Sequence, residues 1–175
     1  IVSIAIYFSK TDEYIVLGSK LEFDPTKLDY KNIRHEHYDS EVGLLSRFMN
    51  LLTVHAPDIL TGWNIRLFDV PYIVHRIDKL FGENYSKRLS PWNKINQRSI
   101  FIKGNENITY DIMGISQLDY LDIFKKFSLN TYGQLSSYRL DNVAFEVLGE
   151  KKLDYSEYSN LAELFEKDYQ KAIEY

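Results

Sequence analysis

The chain has 175 residues, 45% apolar and 26% charged, which is ordinary globular composition and enough for a real hydrophobic core. Its formal charge of −4 disfavours simple electrostatic binding to a nucleic-acid duplex, while a nuclease, whose metal site is itself acidic, stays compatible. No cysteine is present, which excludes disulfides and thiolate-bound zinc, and no apolar run reaches the length of a membrane span.

Residues 1–8 are rich in β-branched and aromatic side chains and read as a strand, not as a charged leader. A turn cluster at 9–12 and an apolar run at 14–17 complete a β-hairpin. Residues 21–32, with Asp24-Pro25, read as a loop, and 33–38 as a strand. Asp39-Ser40 signals a helix start, and Val42, Leu45, Met49 and Leu52 recur at helical spacing before Pro57. Residues 58–62 form a strand, and Tyr72, Ile73, Ile77, Leu80 and Phe81 make a second amphipathic helix that stops at Gly82. Residues 84–92 suit a short helix or turn. Residues 99–103 and 108–112 read as a protruding hairpin with a polar tip at 104–107. A strand at 118–123 precedes a short basic helix around Lys125-Lys126, for which Asp122 is a candidate cap. A helix carries Leu140, Val143, Ala144 and Val147, and a final helix runs over 161–175. This order predicts one α/β domain with a mixed sheet flanked by helices. Ile1 falls at once in strand-like sequence and Tyr175 in a helical pattern without a stop signal, so both ends read as cuts in a longer chain.

The segment Thr61-Gly62-Trp63-Asn64-Ile65-Arg66-Leu67-Phe68-Asp69-Val70-Pro71-Tyr72 is a strand-to-helix corner. Polar groups at such a corner are where open α/β sheets hold ligands. On its own, Asp69 suits a helix cap as well as a metal ligand, Asn64 suits a turn, and Tyr175 suits a helix face. Asp119 and Asp122 read as a strand-end residue and a cap, with membership of an acidic site as the alternative. His35, His37, His55 and His75 lack metal-ligand spacing and read as structural or surface residues.

Asn64-x-x-x-Phe68-Asp69 and its flanks resemble the second exonuclease motif of family B DNA polymerases, closely so for the replicative polymerases of tailed phages. Lys87-Arg88-Leu89-Ser90-Pro91 is similar to the segment that precedes that family's exonuclease hairpin. Leu118 to Phe127 is similar to the strand and basic helix after it. The resemblance implies a ribonuclease-H-like fold, 3′→5′ proofreading of DNA and two divalent ions, Mg²⁺ or Mn²⁺. It assigns Asp69 to metal binding and catalysis, Asn64 to the bound 3′ end, and Phe68 to packing under the corner beside the DNA. Lys87 and Arg88 become candidate phosphate contacts, and Tyr175, where the third motif begins, would orient the attacking water. The implied partners are a single-stranded DNA 3′ end, primer-template, a polymerase domain in cis and, through the parent protein, a sliding clamp, all in the cytoplasm of a phage-infected host cell.

Of the family's four metal-binding carboxylates the sequence keeps one. The 175-residue piece alone is therefore expected to lack exonuclease activity and to be marginally stable or self-associating. The alternative is a catalytically dead exonuclease-like module that holds single-stranded DNA or a replisome protein.

Overall fold

The structure, a computed structural model, describes residues 1–28, 32–102 and 104–175. It forms two compact units, one of residues 1–48 and 152–175 and one of residues 49–151.

In the first unit β1 (Ser3–Phe8) pairs antiparallel with β2 (Glu13–Gly18), from Ser3 opposite Gly18 to Phe8 opposite Glu13. β2 also pairs in parallel with β3 (Ile33–His37). The apolar run at 15–17 is continuous because β2 is the middle strand, and Ile15 and Leu17 are fully buried. The 21–32 segment contains a short 3₁₀ turn, Pro25–Lys27, whose Thr26 N–H donates to the Asp24 carboxylate at 3.0 Å. Residues 29–31 of that segment lie outside the described residues. Helix α1 (Glu41–His55) begins where Asp39-Ser40 predicts, with Gly43 N–H donating to Ser40 Oγ at 3.1 Å.

The final helix expected over 161–175 is two helices. At the break Asp168 has φ −140° and ψ 79°, and its carboxylate accepts from Lys171 N–H at 3.0 Å. A side chain that caps one helix cannot sit within another, so the chain restarts there. The tail docks through Tyr169, whose hydroxyl lies 3.1 Å from His35 Nε2. Gly18 is required beneath it, since a Cβ there would stand 1.9 Å from that hydroxyl.

In the second unit β4 (Ile59–Gly62) leads through the corner into α2 (Asp69–Phe81), which buries Val70, Pro71, Val74 and Ile77. Gly82 ends α2 at φ 111°. A 3₁₀ turn, Tyr85–Leu89, fills the predicted short element. β5 (Ile95–Ile102) and β6 (Asn105–Ile112) form an antiparallel pair of eight residues each, longer than the sequence suggests. The residues read as a polar tip, Asn105 to Asn107, are strand residues paired up to Ile102 opposite Asn105. Gly104 turns at φ 82°, and Lys103 lies outside the described residues. β7 (Ser116–Asp119) pairs in parallel with β4 and ends four residues before the predicted 123. Helices α3 (Tyr120–Phe127), α4 (Leu129–Tyr132) and α5 (Leu140–Leu148) follow. In the first unit α6 (Leu161–Lys167) and α7 (Tyr169–Glu174) make the two-part tail.

The architecture is mixed α/β, as the sequence indicates. Among the described residues the strands form three separate ladders, β1-β2-β3, β4-β7 and β5-β6, instead of one continuous sheet. No helix among them is long and apolar enough to cross a membrane.

Candidate functional site

The corner begins where β4 ends. A Cβ on Gly62 would stand 2.5 Å from Cγ2 of Ile65, so glycine is what lets Ile65 fold beneath the strand end. Asn64 adopts a left-handed φ of 63°, which asparagine tolerates better than most residues. Its carbonyl accepts from Phe68 N–H at 3.1 Å, and the Ile65 carbonyl accepts from Val70 N–H at 2.9 Å. These bonds make one tight turn that delivers the chain into α2.

Asp119 clamps this turn. It stands opposite Gly62 on β7 and is 6% exposed. Its carboxylate accepts from the backbone N–H of Asn64 at 2.9 Å, of Arg66 at 3.0 Å and of Leu121 at 3.0 Å. Thr109, fully buried on β6, donates its hydroxyl to the Arg66 carbonyl at 2.9 Å. The Arg66 side chain pairs with Asp122 at 3.5 Å. Asp119 is thus both the strand-end residue and the cap of α3, while Asp122 sits in the helix's first turn and is not the cap. The signal for the α3 cap, though not for the bonds to Asn64 and Arg66, lies in the sequence, since an Asp directly before an amphipathic run is a helix start. Reading 118–123 as strand hid it.

Asp69 is the first residue of α2. The N-cap position belongs to Phe68, which makes no side-chain cap bond. Burial pushes the Asp69 carboxyl above the ordinary carboxylate range, its own backbone N–H opposes that, and the negative charge of Asp119 raises it further. Burial and the Asp119 charge both disfavour the ionised form of this carboxyl, and a cation would favour it.

A raised folded-state pKa means that the folded chain holds the proton more tightly than the unfolded chain. The penalty of the Asp69 charge is therefore present above the folded pKa and vanishes below the unfolded value near 3.9. Asp69→Asn is expected to raise the melting temperature at neutral pH and to leave it unchanged at about pH 3. Paired thermal melts at the two pH values check this.

Among the described residues, no three histidine or carboxylate side chains gather as a metal site would need. Both oxygens of Asp119 accept from backbone amides of other residues, whereas the Asp69 carboxyl is held by its own backbone N–H. These residues do not by themselves fit two divalent ions, each of which wants about six oxygen ligands.

Phe68 does not pack under the corner. It is 66% exposed and lies parallel to Tyr72, with centroids 6.4 Å apart and planes 7° from parallel. Ile65 and Val70, at 9% and 5% exposure, take the interior positions instead. Phe68→Ala should then change stability by less than about 0.5 kcal/mol, against roughly 3–5 for a buried ring, as urea unfolding would measure.

Lys87 and Arg88 lie on the 3₁₀ turn after α2, with the Arg88 guanidinium 5.1 Å over the Tyr85 ring. Tyr175 belongs to the first unit. Its ring meets Tyr155 edge-on at 4.9 Å, and its hydroxyl accepts from Lys152 Nζ at 3.2 Å. The structure thus gathers Asn64, Phe68 and Asp69 in one turn, with Lys87 and Arg88 on the separate 3₁₀ turn that follows α2. His75 bonds the Tyr110 hydroxyl at 2.7 Å and His37 faces Asp39 at 3.5 Å, so these histidines have structural partners, as does His35.

The sequence profile of the family described as "DNA polymerase family B, exonuclease domain" matches residues 1–143. Tyr175 lies outside that span. The chain is 38% identical over 138 residues to the DNA-directed DNA polymerase of Escherichia phage RB69, covering 79% of this chain and 15% of the relative. The figures are the same for the DNA-directed DNA polymerase of Enterobacteria phage T4. It is 32% identical over 142 residues to the DNA polymerase catalytic subunit of Alcelaphine herpesvirus 1, covering 77% of this chain and 13% of the relative. The chain therefore spans about a seventh of the length of the phage polymerases it matches. With the corner at Asp69 inside the matched span, the chain belongs to the exonuclease domain family of the family B DNA polymerases.

Proposed function

We propose that this chain is part of the 3′→5′ proofreading exonuclease domain of a phage-type family B DNA polymerase. The observation that carries the reading is Asp69: an open, half-buried acid with a raised pKa, on a tight strand-to-helix turn within the family-matched residues. In this reading the fold is ribonuclease-H-like and the β5–β6 pair is a protruding hairpin that helps part primer from template. Asp69 is the acid that the nuclease chemistry uses. Asn64 lies beside the terminal nucleotide, and Phe68, with its ring outward against Tyr72, offers a face to a terminal base. Lys87 and Arg88 meet phosphates, and Tyr175 stays the candidate to orient water.

The substrate is a single-stranded DNA 3′ end delivered from primer-template. The polymerase domain lies in cis, a sliding clamp acts through the parent protein, and the setting is the host-cell cytoplasm. Dependence on Mg²⁺ or Mn²⁺ is a property of the complete protein. The residues here supply one open carboxylate, so the isolated chain is expected to digest no DNA. Mg²⁺- or Mn²⁺-dependent digestion by the chain alone would contradict this.

The absence of a gathered carboxylate cluster among the described residues favours a second reading, a module that holds single-stranded DNA without cutting it. Excision assays of the complete protein with and without Asp69→Asn separate the two. Asp69-dependent release of nucleotides supports the enzyme, and no release from either protein supports the binding module.

A further inference from the structure

Helices α3 and α4 bury none of their residues, although α3 has a pronounced apolar face. Five rings meet on that face. Phe124 is the hub, with centroids 5.7 Å from Trp63, 6.4 Å from Tyr120, 6.2 Å from Tyr132 and 6.4 Å from Tyr138. At the rim, Tyr120 and Tyr132 are 53% and 49% exposed. Lysines lie among the rings: Lys125 Nζ is 5.7 Å over Tyr138 and Lys126 Nζ is 5.6 Å over Phe127. Trp63 directly precedes Asn64, so the line of rings starts at the corner itself.

We propose that this face is a stacking platform for single-stranded DNA, holding the nucleotides that trail a 3′ end seated at the Asp69 corner. The proposal rests on the reading that the corner receives a DNA end. Half-exposed ring faces accept any base, and ammonium groups beside them meet the phosphates, which together make a sequence-tolerant single-strand site. The charge on α3 fits a polyanion. Its two lysines outnumber its one acid, Asp122, and that acid is already paired with Arg66.

The test uses the full 175-residue chain in EDTA, so that no cleavage intervenes. An oligo(dT) of about twelve nucleotides, within the span of known single-strand sites, is followed by anisotropy. Trp63 emission is followed in a Trp92→Phe background. The oligonucleotide should bind and quench Trp63. The Tyr120→Ala/Tyr132→Ala variant should bind at least about tenfold more weakly, while Tyr120→Phe/Tyr132→Phe, which keeps the rings, should bind like the parent. Lys125→Gln/Lys126→Gln should flatten the slope of log affinity against log salt by about 1.4.

No binding by the parent chain overturns the proposal, and so does a folded alanine variant that binds as tightly as the parent. If the alanine variant does not fold, the exposed lysine pair decides, and an unchanged salt slope overturns it. Failure of the corner reading looks different: excision by the complete protein would then be indifferent to Asp69→Asn while oligo(dT) binding persisted.

Discussion

Asp69→Asn in the complete protein is expected, on the proposed function, to slow single-turnover excision of a single-stranded 3′ end by at least about a hundredfold and to leave nucleotide incorporation unchanged. The size follows from the corner's geometry. Asp119 has both carboxylate oxygens on backbone amides, so it is fixed in the turn and cannot move to take the place of Asp69 without releasing it. Asn has nearly the shape of Asp and keeps an oxygen that can accept from the residue's own backbone N–H, as the Asp69 carboxyl does. The variant therefore removes charge with little change of structure. Rapid-quench measurement of excision and incorporation on one preparation gives both rates. A loss of less than about fivefold would mean that another acid carries the chemistry.

The second large effect is on stability. Asp119→Ala is expected to destabilise the folded chain by about 3–5 kcal/mol, because it strands three part-buried backbone donors that a charged acceptor had served. Two of the three donors, Asn64 N–H and Arg66 N–H, lie in the turn, so their loss loosens the presentation of Asp69 as well as the start of α3. Asp119→Asn keeps one acceptor oxygen of the two and should fall between alanine and the parent. Urea unfolding of the three proteins measures the order. Equal stability of all three would mean that the turn holds itself.

The elements most legible in the sequence were those with strong local signals. The continuous apolar run of β2, the capped start of α1 and the amphipathic stripe of α2 closed by Gly82 all stand where periodicity and caps place them. The corner was legible for the same reason, since Gly62, Asn64 and Asp69 are residue types that turn a chain. What was not legible depended on long-range partners. Asp119 stands at a strand end, as the sequence indicates, but it is a clamp through the amides of a turn 53–55 residues away, which no local pattern announces. The resemblance places Phe68 under the corner, but two aliphatic neighbours, Ile65 and Val70, already fill that space. The break at Asp168 leaves no trace in the apolar stripe, which continues on both sides of it, and only the cap bond reveals it. The polar residues of β6 read as a tip because pairing across a tight turn, not their own propensity, makes them strand.

The account depends on Asp69 being an open acid beside a second carboxylate and not the cap of α2. Titration of its side-chain carboxyl by ¹³C NMR, in the parent chain and in Asp119→Asn, tests this directly. The predicted midpoint lies above the ordinary value of about 3.9 and falls when the Asp119 charge is removed. A midpoint at or below that value, indifferent to Asp119, would show a carboxylate tied to helix amides and would contradict the account.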